Sequence, residues 1–593
     1  MDYHLHFPVW ILSFTHLFTF IQASCPFACT CDLDELGRRR TRCEDGGLSI
    51  PAAIDIATID YDVQILILSG TAERPNNITR LTPDMLRNKP YLQELRITHS
   101  NLPDIGFATF ELLSESLRIL NLTYNRIEIL HEDNFRNLSR LTHLHLDHNQ
   151  IESFHSAMFA YLSEMSVLTV SDNRLRITRC TSQAECGNLQ PRMGTALPSL
   201  AYLDLSRNSI GPIVPDLFFQ DLSGLRVLNL SKNGLETLPW QTLQANNANL
   251  EDIDLSGNLI KRIEAGQLPQ LKHVRRLDFS GNPLNYIGSE AFRGLVLDYL
   301  NLANTSQSVL GPNVFLHCRV INLNISDMGL KILSSTTFRP IAQDVLTLDV
   351  SGNPELVLQP KMFDFLPSLR VLVMRRMYLI GLPMDFFGYA NDIESVDLSE
   401  NKILALDERV FAPLQNLLRL NLYRNQLRTV PSSVVLPRIE DIDLSDNRLT
   451  SFPNAIVDAL STPGTSLKSL HLNTNPWTCD CGLAKIIQWL NVTQSGPLGY
   501  EAVCVGRNAF TCPVCYQPAN SRGVPLPAVK VPSCDLSASL NLAPQQTFLQ
   551  RTSPGTDASK EPWTLLTGVF INNTIINNAV ISNVLLKNAT FSP

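Results

Sequence analysis

Two stretches decide the fold: Leu117–Ile127, LRILNLTYNRI, and Leu141–Ile151, LTHLHLDHNQI. Set one under the other, both fit LxxLxLxxNxL, and the same register returns at Leu225–Leu235, Ile393–Ile403 and Leu417–Leu427. Weaker copies begin at Val63, Leu92, Met165, Leu200, Leu250, Val274, Leu297, Val320, Val345, Leu369, Ile439 and Leu467. That makes about seventeen units, one about every 24 residues, and a register held for so long marks a repeat architecture.

Within a unit, the LxL alternation is a short strand whose leucines enter the core while the intervening side chains face out. Stacked units place these strands side by side in one parallel sheet, about 4.8 Å apart. Where the chain turns after each strand, backbone groups lose contact with water, and an inward Asn amide can both donate to them and accept from them. Asn125, Asn149, Asn173, Asn208, Asn233, Asn258, Asn282, Asn353, Asn401, Asn425, Asn447 and Asn475 hold that position, so a structural ladder is expected of them. On the return leg Phe135, Phe159, Phe292, Phe338, Phe363, Phe387 and Phe411 share one phase, and such a stripe is core packing. The expected fold is an α/β solenoid with a concave parallel β-sheet.

A chain of 593 residues is too long for one compact core and suits a core that extends in one dimension. Hydrophobic content of 44% against 18% charged residues describes an ordered chain. A net charge of -8 without dense basic patches argues against nucleic acid as a partner. Residues 1–24 read as a signal peptide: an apolar run from Phe7 to Ile21, then Ala23 and Ser24 before Cys25, though no Lys or Arg precedes the run. Thirteen cysteines in an exported chain should mostly pair. Cys180 and Cys186 are expected to close a loop in a unit about ten residues longer than the rest, a surface insertion of the kind that carries function. Cys318 stands alone.

Together these features resemble the extracellular leucine-rich-repeat proteins, the class of Slit-like guidance proteins and Toll-like receptor ectodomains, from Cys25 to Cys534. The resemblance implies a leucine-rich-repeat horseshoe closed by disulfide-bonded caps. CPFACTC followed by Cys43 is similar to the family's amino-terminal cap, which implies the pairs Cys25 with Cys31 and Cys29 with Cys43. NPWTCDCGLAKIIQWL, Asn475 to Leu490, resembles the carboxy-terminal cap, with Trp477 and Trp489 as its buried aromatics. CYQPANSRGVPLPAVKVPSC resembles its closing half, implying Cys479 with Cys515 and Cys481 with Cys534; Cys504 and Cys512, beyond the usual four, would then pair with each other. Spacing alone leaves the connectivity open, but CPVC lacks the second CxxC of a zinc site, and disulfides are the expected state in an oxidising compartment. The layout expected is a signal peptide over 1–24, a cap over 25–62, repeats over 63–474, a second cap over 475–534 and a linker with an Asn/Ile-rich tail over 535–593. No run in that tail is long enough to cross a bilayer or to serve as a glycolipid-anchor signal, so the protein is expected to be secreted.

No serine elbow, HExxH motif or glycine-rich phosphate loop occurs, and no cofactor is expected. The expected function is a non-catalytic, secreted module that binds an extracellular protein or glycoprotein in adhesion, guidance or pattern recognition. The alternatives are a self-associating matrix protein and the ectodomain product of a membrane receptor. On the concave face, His99, His143, His145 and His148 lie near Tyr124 and Asp147; their spacing matches no closed zinc site, so solvated histidines are expected, with a metal or pH-sensitive contact as the alternative. Asp204, Asp254, Asp278, Asp349, Asp397 and Asp443 share one phase, and the resemblance implies a role in strand geometry. Glycosylation sequons stand at Asn77, Asn121, Asn137, Asn229, Asn304, Asn324, Asn491, Asn572 and Asn588, of which Asn121, Asn229 and Asn324 share a concave phase. From Val345 to Leu472 that face has no sequon, and Arg370, Val373, Arg375, Arg376, Arg419, Tyr423 and Arg424 replace the usual small residues there. This patch is the expected ligand site, because Arg and Tyr are typical interface anchors.

Overall fold

The computed structural model describes residues 25–530 except 51–54, 155, 177–196, 214–221, 239–242, 244–248, 269–270, 308, 463–465, 493–502 and 505–511. The signal-peptide segment, the Cys180–Cys186 loop, Cys534 and the tail therefore lie outside the described residues, as does the whole of a second compact unit, Ser533–Pro593.

One sheet of 19 strands runs through the first unit. It opens with β1 (Thr30–Leu33) and β2 (Arg39–Cys43), which pair antiparallel and close the amino-terminal end. Each repeat then adds one parallel strand: β3 (Ile65–Ser69), β4 (Glu94–Thr98), β5 (Ile119–Asn121), β6 (His143–His145), β7 (Val167–Thr169), β8 (Tyr202–Asp204), β9 (Val227–Asn229), β10 (Asp252–Asp254) and β11 (Arg276–Asp278). The series continues with β12 (Val296–Asn301), β13 (Arg319–Asn324), β14 (Thr347–Asp349), β15 (Val371–Val373), β16 (Ser395–Asp397), β17 (Arg419–Asn421), β18 (Asp441–Asp443) and β19 (Ser469–His471). Every strand pairs with its neighbours in chain order, so equivalent positions of successive repeats stand in register. Val371, Ser395, Arg419 and Asp441 form one such row.

The return legs are less helical than an α/β label suggests. Among the described residues they hold turns, short 3-10 segments and the helices α1 (Ser335–Phe338) and α2 (Asn454–Leu460), with α3 (Ala484–Val492) in the carboxy-terminal cap. The remainder of a 24-residue unit must travel back from the end of one strand to the start of the next. An α-helix rises only about 1.5 Å per residue, and the more extended turns cover that distance with fewer residues.

Core columns repeat from unit to unit. Leu120, Leu144, Leu203, Leu228 and Leu300 are fully buried, as are Phe135, Phe292 and Phe411 on the return side. Phenylalanine rings of successive repeats pack in series, with centroids 5.9 Å apart for Phe292 and Phe315 and 5.8 Å for Phe315 and Phe338. The asparagine ladder works as its chemistry requires. Asn149 Nδ2 donates to the carbonyls of Leu122 at 2.9 Å and Leu146 at 3.0 Å, and its Oδ1 accepts from the amide of Ile127 at 3.1 Å, binding each unit to the one before. Thr71, Ser100, Thr305, Met328 and Met377 take this slot in the five repeats that lack the amide.

The ends are sealed. Lys89 is buried, and its ammonium donates to Ile59 O at 2.7 Å and Ala57 O at 3.3 Å; burial holds its pKa below the usual lysine value. At the other end Trp477 is buried against Phe452 and donates through Nε1 to Leu472 O at 3.0 Å, while Lys485 of α3 pairs with Asp458 of α2.

Candidate binding face

The residues on either side of each central strand leucine point away from the core and cover the concave face. In the column just after that leucine stand Asp204, Asn229, Asp254, Asp278, Asn301, Asn324, Asp349, Asp397, Asn421 and Asp443. Their Oδ1 accepts the backbone N–H two residues on: Ser206 to Asp204 at 2.8 Å, Ser256 to Asp254 at 2.8 Å, Ser280 to Asp278 at 2.7 Å and Ser445 to Asp443 at 2.9 Å. The acidic phase thus closes the turn after each strand, an Asx turn that Asp and Asn serve equally. Where Asn follows Asp it also donates sideways: Asn229 to Asp204 at 3.2 Å and Asn301 to Asp278 at 2.8 Å.

Packing so many carboxylates into a sheet has an electrostatic consequence. Burial pushes Asp204, Asp252 and Asp278 up to about 6, with repulsion from Asp254 adding to it in each case. Asp254 and Asp397 are raised as well, again chiefly by burial. Removing water from a carboxylate favours its neutral form, and a second negative charge nearby acts the same way.

A further column follows the trailing edge of the sheet, one residue before each ladder asparagine. Its members His99, Tyr124, His148, Asp172, Arg207, Lys232, Arg376, Glu400, Arg424 and Asp446 all have left-handed backbones, with φ between 47° and 58°. Several of these side chains meet others of the column along the edge. His99 stacks on Tyr124 with centroids 4.3 Å apart, Tyr124 on His148 at 4.1 Å, and His148 Nδ1 meets Asp172 at 2.9 Å. Gly352 holds this slot where a Cβ would stand 1.8 Å from Asp327 Oδ1, so its lack of a side chain makes room for that carboxylate. Arg376 spans the gap and meets Asp327 at 3.4 Å, two repeats away. This trailing-edge column escaped the sequence reading, although glycine at 257, 281 and 352, just before Asn258, Asn282 and Asn353, is a signal for left-handed backbone.

In the carboxy-terminal patch Arg370, Arg375, Arg376 and Arg424 are already engaged. Arg370 pairs with Glu394 at 2.9 Å, Arg375 with Glu400 and, at 4.0 Å, with Asp397, and Arg424 with Asp446 at 3.1 Å while lying over the Tyr423 ring. They also do not share one surface. Arg370 and Glu394 lie at the leading edge, Arg375, Arg419 and Tyr423 on the sheet, and Arg376 and Arg424 on the trailing edge. Val373 is buried at 8% exposure in the floor of the face, in register with Asp349 and Asp397. The patch is a charge-matched lattice of Arg and Asp/Glu, not the free cationic anchor that composition suggests.

A family profile described as leucine rich repeat matches residues 115–175, 198–248, 248–306 and 391–449. Trophoblast glycoprotein of Macaca fascicularis is 25% identical over 296 residues, 49% of this chain and 55% of that protein. Transforming growth factor beta activator LRRC33 of Danio rerio is 24% identical over 296 residues, 48% and 38% of the two chains. Toll-like receptor 3 of Boselaphus tragocamelus is 24% identical over 313 residues, 45% and 34%. Among solved structures, the TLR13 chain of the TLR13–ssRNA13 complex superposes with a TM-score of 0.60 at 20% identity, covering 82% of this chain and 67% of that one. Toll in its complex with Spatzle gives 0.52 at 19% identity, covering 85% and 75%.

The chain is built of leucine-rich repeats and has their fold.

It spans about half or less of the length of these three relatives, and the likeness to the solved structures carries the fold. The repeat protein's caps are cross-linked: Cys25 to Cys31, Cys29 to Cys43, Cys479 to Cys515 and Cys504 to Cys512. Cys481 is also disulfide-bonded. Cys318 is free and buried; its thiol donates to Phe315 O at 3.1 Å, and burial pushes its pKa up to about 12. The relatives are extracellular-facing proteins, and the cross-linked caps fit that environment. No helix among the described residues is long and apolar enough to cross a membrane.

The four histidines His99, His143, His145 and His148 divide into two sets. His99 and His148 belong to the trailing-edge stack. His143 and His145 lie on β6, their rings 6.2 Å apart; burial lowers both, His143 to about 4. His145 Nδ1 faces Thr169 Oγ1 at 3.0 Å, and Thr169 in turn donates to Asp147, which also accepts from Ser171 N at 2.8 Å. Among the described residues no group of three or more His, Cys, Asp or Glu could hold a metal ion.

The sequons divide by burial. Asn77, Asn137 and Asn304 are exposed and Asn121 is half-buried, whereas Asn229 and Asn324 are buried on the sheet at 7% and 8% exposure. Asn229 is held by Ser231 and Asp204, and Asn324 accepts from Ser326 N at 3.0 Å, so a glycan at either would have to displace the turn. Two of the three concave sequons therefore do not mark off the carboxy-terminal third as the open part of the face. Asn491 falls in α3, and Asn572 and Asn588 lie outside the described residues.

Proposed function

We propose that this chain is a secreted, non-catalytic module whose concave face binds an extracellular protein or glycoprotein, in the setting of adhesion, guidance or pattern recognition. One observation carries the reading. The inward columns are nearly constant from β3 to β19, while the outward residues change from repeat to repeat, from His143 and His145 to Tyr202, Arg276, Tyr299 and Arg419. A face that varies over a constant scaffold holds recognition, because packing places no demand on those positions. The names of the similar proteins, a growth-factor activator and Toll in complex with Spatzle, support a protein ligand. The carboxylates of β8–β11 disfavour phosphate, so the RNA of the TLR13 complex does not transfer.

In the carboxy-terminal third, exposed Arg376 and Arg424 with half-buried Arg419 and Tyr423 are the contact residues, and Arg375 positions them through Glu400 and Asp397. Paired charges of this kind set specificity and register more than raw affinity. The test is to cross-link the tagged, secreted protein on cells, identify the captured protein by mass spectrometry, and compare binding of Arg419→Ala/Tyr423→Ala/Arg424→Ala with the parent. A loss of at least tenfold is expected; equal affinity would remove this patch from the reading.

A further inference from the structure

The concave face already holds one guanidinium in a manner that shows how it could hold another. In the row Tyr202, Val227, Asp252, Arg276, Tyr299, each residue stands in register with the next across β8 to β12. Arg276 occupies the step between Asp252 and Tyr299: its Nε is 3.2 Å from Asp252 Oδ2, and its guanidinium lies 5.1 Å over the Tyr299 ring. The row is nearly symmetric about Asp252. On the other side Tyr202 mirrors Tyr299, but the step between Tyr202 and Asp252 carries Val227, whose short side chain ends below the level that Arg276 reaches.

Charge points the same way. Asp204, Asp252, Asp254 and Asp278, with Asp147 on the amino-terminal side, face Lys232 on the trailing edge and Arg276 on the sheet, an excess of negative charge. In the next column Asp204 and Asp278 each receive an Asn donor, while the hydrogen bonds to Asp254 come from Ser256. Holding carboxylates this close costs stability, and Asn would close the same turns without that cost, as Asn229 and Asn301 do.

We propose that the concave face from β8 to β10 docks an arginine side chain of a cationic protein partner, seated over Val227 between the Tyr202 ring and the carboxylates of Asp204, Asp252 and Asp254. A guanidinium there meets carboxylate and ring face together, as Arg276 does one step away. The inference rests on the concave sheet being a binding face but not on the carboxy-terminal patch. Acid should release the partner. Asp204 and Asp252 titrate near pH 6, Asp254 is raised as well, and the nearby Tyr202 and Tyr299 stay neutral because burial raises them, so the face loses negative charge between pH 7 and pH 5.

The probe is a fluorescein-labelled octa-arginine peptide, titrated against the full secreted chain by anisotropy at physiological salt. Val227→Arg supplies the guanidinium from within and should weaken peptide binding at least tenfold, as should Asp252→Asn. Asp443→Asn, on β18, removes an equal charge elsewhere and should leave binding within twofold. The parent should bind at least tenfold more weakly at pH 5.0 than at pH 7.5. Equal affinity of the parent and Val227→Arg, or binding that does not change with pH, would overturn the proposal. Loss through Asp443→Asn as large as through Asp252→Asn would do so too, by reducing the effect to net charge. A partner captured on cells whose binding depends on Arg419, Tyr423 and Arg424 but not on Val227 would leave the proposed function standing and this inference refuted.

Discussion

Asn401 offers the most direct measure of what holds the repeats together. Its Nδ2 donates to Met374 O at 2.8 Å, Leu398 O at 2.9 Å and Ser399 O at 3.2 Å, and its Oδ1 accepts from Met377 N at 2.9 Å and Leu379 N at 3.2 Å. Asn401→Ala leaves two amides and the Met374 carbonyl without partners beneath a buried turn, since Leu398 O still accepts from Asn425 Nδ2 and Ser399 O from Arg376 N. At about 1 kcal/mol for each orphaned group, the loss is about 3 kcal/mol. In a repeat array that cost falls on the damaged unit and its contacts with its neighbours. Hydrogen exchange read by mass spectrometry should therefore show peptides within 369–427 losing protection by roughly two orders of magnitude at 25 °C, while peptides within 92–151 keep theirs. Met377 provides the comparison, since it fills the same slot one repeat earlier without an amide; Met377→Ala removes packing only and should leave the 2.9 Å acceptor bond from its backbone to Asn401 in place. Protection around Asn401 falling by less than tenfold in Asn401→Ala would refute the view that the amide ladder, beyond leucine burial, joins one unit to the next.

Other outcomes follow from the same geometry. Asp204, Asp252 and Asp278 bind their protons more tightly folded than unfolded, so stability should rise as pH falls through about 6 toward the unfolded value of 3.8 and be lost again on raising it. Calorimetry should place Tm roughly 2 °C or more higher at pH 5 than at pH 7.5, and Asp254→Asn/Asp278→Asn should flatten that difference; a Tm that falls on acidification would contradict it. Glycan mapping by mass spectrometry should find Asn77, Asn137 and Asn304 occupied and Asn229 and Asn324 bare, and a glycan on Asn229 would show that the strand turn forms differently. Cys318 should resist iodoacetamide in the native protein and react fully in denaturant; rapid native labelling would mean that its repeat opens readily.

Periodicity in this chain is physically specific. A leucine at every second strand position and an asparagine three residues beyond the last have one arrangement that buries the first and satisfies the second. The strands, their parallel order, the ladder from Asn125 to Asn475 and the phenylalanine stack were therefore legible from local pattern alone. The acidic phase was readable for the same reason, since Asp and Asn both close an Asx turn. The cysteine clusters at the two ends marked the caps because a solenoid's exposed ends need lids.

What sequence could not decide is what happens between residues a repeat apart. Stacking brings Arg375 to Glu400, Arg376 to Asp327 and Arg424 to Asp446, and so turns an apparent row of free arginines into a neutral lattice. Stacking also sinks Val373, Asn229 and Asn324 into the floor of the face, because how far a residue lies below its neighbours depends on their side chains as well as its own. The same is true of the row from Tyr202 to Tyr299. Each of its five members is an ordinary outward residue of its own repeat, and only the register of five strands sets a ring, a short side chain, a carboxylate, a guanidinium and a ring side by side. Sequence determined the scaffold because burial and hydrogen bonding act within one unit and its neighbour; the tertiary structure decided the binding face because charge and shape there are sums over many units.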